Sequence, residues 1–314
     1  MDRNNSTTIT EFILVGLSEN PEIQPFLFAV FLLTYIITVL GNLTIILVIK
    51  LGSNLHTAMY FHLANFAFLE ICYISATVPK MLSSFLAERK TISLRGCITQ
   101  MYCFLLFGGT ECYILAAMAY DRYNAICHPL LYTIIMNRRR CTQLIVGSWL
   151  IGAVNAAVHT ILTFTLPFCD SNRIDHFFCD IPPLLKLACT DTWVNELVIF
   201  LISGSVIVGS FILILISYLQ IIFTIVKIKS TSGRKKAFST CVSHFTVVTI
   251  FFGSGIFMYF RPKSSYAMEQ DRVISVMYAI AAPLLNPFIY SLRNKDVKIA
   301  IRKMIYKIIS KNIY

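Results

Sequence analysis

The chain has 314 residues, of which 56% are hydrophobic and only 14% are charged, and its formal net charge is +11. Soluble domains carry about 25% charged residues, so this composition excludes an ordinary soluble protein and predicts one embedded in lipid. The mean hydropathy of +0.69 agrees. The positive charge does not indicate a nucleic-acid-binding protein, because the basic residues flank apolar segments and form no stripe on a polar domain.

The N-terminal tail, residues 1–25, is mostly polar and is predicted to lie outside the cell. It has no basic region followed by an apolar core, so we expect no cleavable signal peptide, and the first span must direct insertion. Overlapping glycosylation sequons begin at Asn4 and Asn5, which are therefore candidate glycosylation sites. A third match begins at Asn42 and is excluded by its position inside a span.

Apolar runs long enough for the ~20 residues of a bilayer span recur seven times. They cover residues 26–49, 58–82, 97–120, 142–166, 196–226, 238–260 and 273–292. Polar interruptions leave the boundaries of the fourth and sixth runs open by several residues. The strand-like alternation of a transmembrane barrel does not occur in the sequence. We therefore predict an all-α membrane protein with a seven-transmembrane helix bundle in residues 26–292.

The distribution of Lys and Arg between the connections predicts the orientation. With the N terminus outside, 17 of the 27 basic residues face the cytoplasm, and most of the acids lie on the outer side. The inner face would then be attracted to anionic lipids of the inner leaflet. The predicted location is the plasma membrane, multi-pass, with an extracellular N terminus and a cytoplasmic C terminus.

The ten cysteines divide by the side of the membrane on which they are predicted to lie. Those in spans or on the inner side are interpreted as small apolar residues: Cys72, Cys103, Cys112, Cys127, Cys141 and Cys241. Those on the oxidising side, where disulfides persist, are Cys97, Cys169, Cys179 and Cys189. These four permit three pairings, and their spacing does not choose among them. The string from His176 to Asp180 would suit a soft metal only if Cys179 were a free thiolate, so we expect no metal.

Two acids lie within predicted spans, where carboxylates normally face a bundle interior or a watery cavity. Glu70 lies midway along its span, and Glu111 precedes Arg122 by eleven residues, which places the two on similar helix faces about 16 Å apart. Both acids are predicted to reach one polar pocket, where a cation or a shared proton offsets their repulsion. The alternative is that each acid is protonated, hydrogen-bonded and purely structural.

The seventh span contains Pro287, which removes a helical hydrogen bond and is expected to kink the helix, leaving a carbonyl group for Asn286 or water. This segment, with Tyr290 nearly one turn further on, is predicted to move; a static kink is the alternative. Beyond it, in residues 293–314, apolar residues recur at helical spacing from Val297 to Ile309, with basic residues on the other face. That pattern predicts a short amphipathic C-terminal helix on the inner leaflet.

Motifs along the chain resemble those of rhodopsin-like G-protein-coupled receptors. These motifs are Asn42, Asp121-Arg122-Tyr123, Trp149 and Asn286-Pro287-Phe288-Ile289-Tyr290. Within that class the sequence resembles the olfactory receptors through LHTAMYF (55–61), MAYDRYNAIC (118–127), ISY (216–218), KAFSTCVSH (236–244) and PLLNPFIYSLRN (283–294). The strings occur in order over the whole chain.

Three positions depart from the family pattern. Ala58 stands where the family usually has Pro, Asn124 where it usually has Val, and Phe252 where it usually has Tyr. The last change removes a hydroxyl group from the floor of the expected ligand pocket. It puts in doubt any activation relay that uses this hydroxyl.

The resemblance implies disulfides Cys97–Cys179 and Cys169–Cys189. It also implies that Glu70 and Glu111 occupy a sodium-pocket region. At the cytoplasmic end, Asp121 would partner Arg122 at rest, and activation would free Arg122 to face a G protein while two tyrosines move inward; His244 is similar to the family's switch position. The implied coupling and activation set is Asp121, Arg122, Tyr123, Tyr218, His244, Asn286, Pro287 and Tyr290.

The resemblance further implies a ligand site between spans three, five, six and seven, about one third of the way in from outside. The matching positions are Phe104, Leu105, Gly108, Gly109, Cys112, Ile202, Ser203, Val206, Phe252, Gly255, Ile256, Tyr259, Val276 and Ala279. This mostly apolar set predicts a small, neutral, hydrophobic ligand, although ordinary helix packing is the alternative for each residue. Gly108 and Gly109 either leave room for a ligand or allow close helix approach.

Two ligand classes are excluded. Phe104 stands where amine receptors carry an Asp, so a primary amine would have no counter-ion. The seventh span contains no Lys, so a retinal Schiff base cannot form.

The resemblance thus predicts an odorant receptor, not an enzyme, that activates a stimulatory olfactory heterotrimeric G protein and raises cyclic AMP. We expect no cofactor beyond a sodium ion near Glu70 and Glu111. The alternatives are a rhodopsin-like receptor for another small apolar ligand outside the nose, a proton-coupled secondary transporter that uses the two acids, and a non-signalling scaffold. Transporters of this kind often show internal repeats, and the sequence has neither a repeat nor an even number of spans.

Overall fold

The computed structural model describes residues 9–18, 20–169, 171–227, 229–259, 268–293 and 297–304. Its helices in chain order are α1 (Gln24–Leu51), α2 (Ala58–Leu86), α3 (Leu94–Cys127), α4 (Tyr132–Ile135), α5 (Arg138–Phe164), α6 (Ile181–Leu185), α7 (Trp193–Val198), α8 (Gly204–Lys227), α9 (Thr231–Tyr259), α10 (Met268–Val276), α11 (Ala282–Arg293) and α12 (297–304). A π-helical turn at Ile199–Ser203 joins α7 to α8, and another at Met277–Ala281 joins α10 to α11. The fifth and seventh spans are therefore each two helices in series.

The prediction of a seven-helix membrane bundle is confirmed. Within the described residues, six helical stretches are long and apolar enough to cross a bilayer: Gln24–Leu51, Ala58–Leu86, Leu94–Cys127, Arg138–Phe164, Trp193–Lys227 and Arg272–Ile289. The seventh is α9, whose 29 residues span about 44 Å at helical rise. Only its second half, His244–Phe257, is continuously apolar, which is why the sixth boundary was uncertain in the sequence.

The described helices extend past several predicted boundaries because polar side chains cap them. Ser93 accepts a hydrogen bond from the Gly96 N–H at 3.1 Å and begins α3 before the predicted span. Asn137 accepts one from the Arg140 N–H at 3.0 Å and begins α5. The helix α3 continues to Cys127, so Asp121 and Arg122 lie within its last two turns.

A small sheet, which the sequence analysis did not foresee, covers one end of the bundle. Its central strand β1 (Glu11–Leu14) pairs antiparallel with β2 (Thr91–Ser93) and parallel with β3 (Arg173–Ile174). In this register Phe12 lies opposite Ile92, and both are buried. We call this end of the bundle the sheet end and the opposite end the Arg122 end.

The interior consists of two apolar clusters, one toward each end. Within the described part of the C-terminal segment, Val297 of α12 is fully buried in the cluster toward the Arg122 end, and Ile301 and Met304 pack partly on that cluster. Lys298 and Arg302 are exposed. Residues 297–304 therefore form an amphipathic helix, as predicted. Residues 294–296 and 305–314 lie outside the described residues.

Candidate ligand-binding cavity

A cavity lies inside the bundle, and its lining residues come from α2, α3, α5, α9 and the fifth and seventh spans. Small-molecule sites are typically concave and mostly apolar spaces of this kind. Its lining is Tyr73, Phe104, Leu105, Gly108, Gly109, Cys112, Asn155, Ser203, Val206, Ile207, Phe251, Phe252, Gly255 and Tyr278. Among the residues that the structure describes, the lining contains no charged side chain. A neutral, largely apolar guest is the kind of molecule that such a space can hold.

Nine of the fourteen residues predicted for the ligand site line this cavity: Phe104, Leu105, Gly108, Gly109, Cys112, Ser203, Val206, Phe252 and Gly255. Four others, Ile202, Ile256, Val276 and Ala279, are not part of the lining. The side chain of Tyr259 lies outside the described residues. Two of these four, Ile202 and Ala279, lie in the π-helical turns, where the extra residue changes which side chains face inward. In those turns Ser203 and Tyr278 face the cavity instead of their neighbours.

Five lining residues were missed by the sequence analysis: Tyr73, Asn155, Ile207, Phe251 and Tyr278. Two of them come from α2 and α5, which the expected site did not include. A polar side chain in mid-span is itself a signal of an interior position. Applied to Asn155, that signal would have found it.

An aromatic roof closes the cavity toward the sheet end. The Phe104 ring lies 5.2 Å from the Tyr73 ring, 4.7 Å from Phe178 and 5.8 Å from Tyr278, centroid to centroid. These separations are in the range that favours aromatic pairs. The roof therefore joins α2, α3, the segment before α6 and the π-helical turn of the seventh span.

The position of Phe178 is fixed by the covalent and hydrogen-bond links of Cys179. The structure contains the disulfide Cys97–Cys179 and a second one, Cys169–Cys189, as the resemblance implied. The Cys179 N–H donates to Gln100 Oε1 at 2.9 Å. Because Cys179 is in a disulfide, it offers no thiolate to a metal at residues 176–180.

A buried polar group lies just above the roof. His176 Nε2 is 3.0 Å from Ser275 Oγ, and the Tyr278 hydroxyl is 3.2 Å from the same oxygen and 3.4 Å from Asp180 Oδ2. Burial, followed by repulsion from Arg272, lowers the pKa of His176 to about 3. The imidazole is therefore neutral at physiological pH and serves as a hydrogen-bonding link between the roof and the seventh span.

One corner of the cavity is polar. Ser203 Oγ lies 2.8 Å from His159 Nε2 and donates to Asn155 Oδ1 at 3.3 Å. His159 and Asn155 belong to α5 and are 2% and 6% exposed, and Ser203 ends the π-helical turn of the fifth span. This corner links α5 to the fifth span and brings an amide group to an otherwise apolar wall.

The structure distinguishes the two roles, ligand space and close helix approach, that the sequence left open for Gly108 and Gly109. A Cβ atom at Gly109 would lie 3.3 Å from Gly152 Cα, so this glycine allows α3 and α5 to approach closely. A Cβ atom at Gly108 would meet only the Tyr73 hydroxyl, at 3.7 Å. Both glycines line the cavity, so Gly109 serves packing and space, and Gly108 serves space.

The cavity floor is aromatic. The Phe252 ring lies 5.4 Å from both Phe211 and Phe251, centroid to centroid, and is 2% exposed. No hydroxyl is contributed at position 252, in agreement with the departure noted in the sequence. Cys112 completes this part of the lining.

Two buried carboxyl groups lie in the bundle interior. Asn286 Nδ2 donates to Glu70 Oε1, which ties α11 to α2. Glu70 Oε2 and both oxygens of Glu111 are buried without a well-aligned hydrogen-bond partner among the described residues. The two carboxyl groups lie close enough to interact. The structure therefore places the two acids that the sequence assigned to one polar pocket close together, and Asn286, which belongs to the implied coupling set, is bonded to one of them.

At the Arg122 end, the predicted coupling residues are held by contacts between helices. Asp121 accepts a hydrogen bond from the Tyr132 hydroxyl of α4 at 2.9 Å, a partner that the sequence analysis missed. The Tyr218 hydroxyl is 2.9 Å from His244 Nδ1, which links α8 to α9. Asp121 and Arg122 are both buried, and the pairing between them stays a prediction.

The remaining site predictions fall in three places. Tyr123 Oη is 2.9 Å from His128 Nε2 near the Arg122 end. Pro287 lies inside α11, and the helix continues through it. The side chain of Tyr290 and the sequons at Asn4 and Asn5 lie outside the described residues.

Comparison with solved structures shows the class of fold. Squid rhodopsin superimposes with a TM-score of 0.72 at 18% identity, covering 90% of this chain and 81% of the rhodopsin chain. The helix bundle is thus that of rhodopsin.

Comparison with known sequences shows the family. A family model described as "Olfactory receptor" matches residues 31–308. The mouse protein "Olfactory receptor 5AP2" (Mus musculus) is 53% identical over 98% of this chain and 96% of its own length. The human "Olfactory receptor 5I1" (Homo sapiens) is 53% identical, covering 96% of each chain. The protein belongs to the olfactory receptor family, a family of multi-pass membrane receptors and not of enzymes, as the resemblance predicted.

Proposed function

We propose that the protein is an odorant receptor that binds a small, neutral, hydrophobic molecule in the cavity described above. The observation that supports this most directly is the cavity itself, which lies within the bundle and whose described lining residues are mostly aromatic and aliphatic and carry no charge. Membership of the olfactory receptor family supports the nature of the ligand.

At the Arg122 end, the receptor activates a stimulatory olfactory heterotrimeric G protein and raises cyclic AMP. The buried Asp121–Arg122 sequence at the end of α3 and the Tyr218–His244 contact between α8 and α9 support a surface whose arrangement changes with the state of the bundle. Ligand binding can shift the equilibrium between two states only by its difference in affinity for them.

The sheet end lies outside the cell, where Asn4 and Asn5 of the N-terminal tail are glycosylated. Both disulfides are located near this end, which supports its exposure to an oxidising compartment. The Arg122 end and α12 face the cytoplasm of the plasma membrane, in agreement with the excess of basic residues there.

A sodium ion binds between Glu70 and Glu111. Three carboxyl oxygens with no well-aligned partner fit a hard cation, which prefers oxygen ligands, and a positive charge would offset the repulsion between two buried acids. Asn286 orients Glu70 for this role through its hydrogen bond. The bound ion would supply charge compensation in the middle of the bundle.

The experiment that tests the proposal measures cyclic AMP in cells that express the full chain and are exposed to a panel of small neutral odorants. At least one compound is expected to raise cyclic AMP, and Arg122→Ala is expected to abolish the response at equal surface expression. Arg138→Ala, which removes an exposed arginine at the start of α5, is the matched control. A response that survives Arg122→Ala would contradict the coupling mechanism, and labelling of the N-terminal tail inside intact cells would contradict the orientation.

A further inference from the structure

We propose that Asn155 is the specificity-determining residue of the cavity, and that it selects ligands with one hydrogen-bond-accepting oxygen, such as a ketone or aldehyde carbonyl, on a hydrocarbon frame. Ser203 and His159 are positioning residues that hold its amide group. This inference rests on the proposed function, because it names the chemical class of the ligand in the same cavity.

The direction of the hydrogen bonds follows from the number of protons at Ser203. Its single hydroxyl proton is donated to Asn155 Oδ1 at 3.3 Å. The 2.8 Å contact with His159 must then be donated by the ring, from Nε2–H to Ser203 Oγ. The result is a chain from His159 through Ser203 to Asn155, and successive bonds in such a chain polarise one another.

This chain fixes the orientation of the amide group. Because Oδ1 accepts from Ser203, the Nδ2 group of Asn155 faces away from it. Nδ2 lies 3.5 Å from the position that a Cβ atom at Gly109 would occupy, so it faces the space that this cavity-lining glycine leaves open. Among the described residues, Nδ2 donates no hydrogen bond.

The chemistry of the ligand follows from that orientation. An amide N–H in an apolar cavity gains most from an acceptor oxygen, because leaving such a donor without a partner is costly. A charged ligand would find no counter-ion among the lining residues that the structure describes. An alcohol could also accept from Nδ2 and donate its own proton to the second lone pair of Asn155 Oδ1 or to the Tyr73 hydroxyl, so the arrangement requires an acceptor oxygen but does not exclude an alcohol. A ketone or aldehyde meets this requirement with its carbonyl oxygen alone, and it carries no donor group that needs a second partner.

Tyr73 is the competing polar group. Its hydroxyl lies 3.7 Å from the Cβ position of Gly108, on the roof side of the cavity. It can donate or accept, and its ring is stacked on Phe104 at a centroid distance of 5.2 Å. It could therefore also bind a ligand oxygen, and Tyr73→Phe separates its contribution from that of Asn155.

The test uses the purified full-length receptor and matched ligand pairs. Each pair consists of a methyl ketone of six to ten carbons and the 2-methyl-1-alkene in which a CH₂ group replaces the oxygen, together with acetophenone and α-methylstyrene. Affinity is measured from the ligand-dependent rise in melting temperature, which requires no G protein. At least one ketone is expected to bind about fivefold to tenfold more tightly than its alkene, which is the contribution of one hydrogen bond.

Variants assign the preference to its residue. Asn155→Leu, of similar size, is expected to remove the preference for the ketone while the alkene affinity is kept. Ser203→Ala, which keeps the amide but removes the hydroxyl that orients it, is expected to reduce the preference to about twofold. Asn65→Leu is the matched control, because the Asn65 amide donates to the Phe61 carbonyl within α2 and does not line the cavity. Ser203→Ala keeps the test decisive if Asn155→Leu fails to fold.

The outcomes separate this inference from the proposed function. Equal affinities for ketone and alkene, no binding of any ketone, or a preference that survives Asn155→Leu or is lost in Tyr73→Phe would each overturn the role of Asn155. A cyclic AMP response to other odorants would leave the proposed function intact in those cases. Conversely, a ketone preference that depends on Asn155 in a receptor that never raises cyclic AMP would support the inference and refute the signalling proposal.

Discussion

Gly152 shows how one missing side chain determines the distance between two spans. A Cβ atom there would lie 2.3 Å from Thr110 Oγ1 and 2.7 Å from the Leu106 carbonyl oxygen, and the latter belongs to the α3 backbone and cannot rotate away. Small residues permit such close approach between membrane helices. This contact holds α5 against α3 beside the cavity and thereby positions Asn155, which is three residues further on.

We expect Gly152→Ala to lower the free energy of unfolding by about 1–3 kcal/mol, because the added methyl group forces α3 and α5 apart. The measurement is the melting temperature of the purified receptor, with surface expression in cells as a second readout. Gly147→Ala is the control on the same helix, since nothing lies within 4 Å of the Cβ position there. It is expected to be neutral or stabilising by up to about 1 kcal/mol. Equal effects of the two substitutions would refute the packing explanation.

His176 makes the stability of the sheet end depend on pH. Its folded-state pKa of about 3 lies below the ordinary value of about 6.5, so the unfolded chain takes up a proton first as the pH falls. The associated stability is fully present above about pH 6.5 and is lost progressively toward pH 3. Between pH 7.5 and pH 5 the loss is about 2 kcal/mol.

The corresponding variant is His176→Gln, which keeps a hydrogen-bonding group but does not titrate. We expect the melting temperature of the native receptor to fall between pH 7.5 and pH 5, and that of the variant to fall less. If both proteins lose the same stability, the titrating group responsible is not His176.

Among the elements, the long helices follow directly from the sequence, whereas the short ones do not. Runs of about twenty apolar residues have few alternatives in lipid, because every backbone group must be bonded within the segment. The strand β1 has four residues, and its alternation of Phe12 and Leu14 with exposed neighbours is too short to recognise. Its partner strands β2 and β3 are distant in sequence, and they lie beside β1 only because of the way the helices pack.

The candidate site was predictable to the extent that the spans are regular helices. On α3, which is uninterrupted, all five expected residues line the cavity. In the fifth and seventh spans, the π-helical turns change the inward-facing residues, and nothing in the sequence of Ile199–Ser203 or Met277–Ala281 indicates an extra residue per turn. Such turns arise from tertiary packing, which single-chain periodicity does not report.

We expect Phe12→Ala to destabilise the sheet end by about 3–5 kcal/mol, the usual cost for a fully buried aromatic side chain. Phe12 packs edge-on against Phe168 at 5.7 Å, and its strand joins β2 to β3 above the roof. Surface expression and melting temperature are the measurements. Ile13→Ala, on the exposed face of the same strand, should cost less than about 1 kcal/mol. A large effect of Ile13→Ala would indicate that its side chain is covered by a partner.

On the scale of the whole molecule, the cavity and the Arg122 end are connected through α3, which lines the cavity at Phe104 and Cys112 and carries Arg122 at its other end. The link between Glu70 and Asn286 lies between the two regions and ties α2 to α11. A chain of packed side chains does not by itself demonstrate coupling. Coupling requires that binding at one end change the free energy of binding at the other end.

Such coupling predicts that each binding partner raises the affinity of the receptor for the other, and that the two increases are equal. If the bundle couples the two ends, a nucleotide-free G protein raises the affinity for an agonist by a factor between about 5 and 150, and the agonist raises the affinity for the G protein by the same factor. Arg122→Ala should bring both factors close to one and leave the agonist affinity of the isolated receptor unchanged, because Arg122 is remote from the cavity lining. Both affinities can be measured on the receptor in lipid nanodiscs, with Arg138→Ala as the control. Factors close to one in the native receptor would refute the coupling, and unequal factors would show that the measurements were not made at equilibrium. An agonist affinity that falls in Arg122→Ala would show that the arginine acts on the cavity itself.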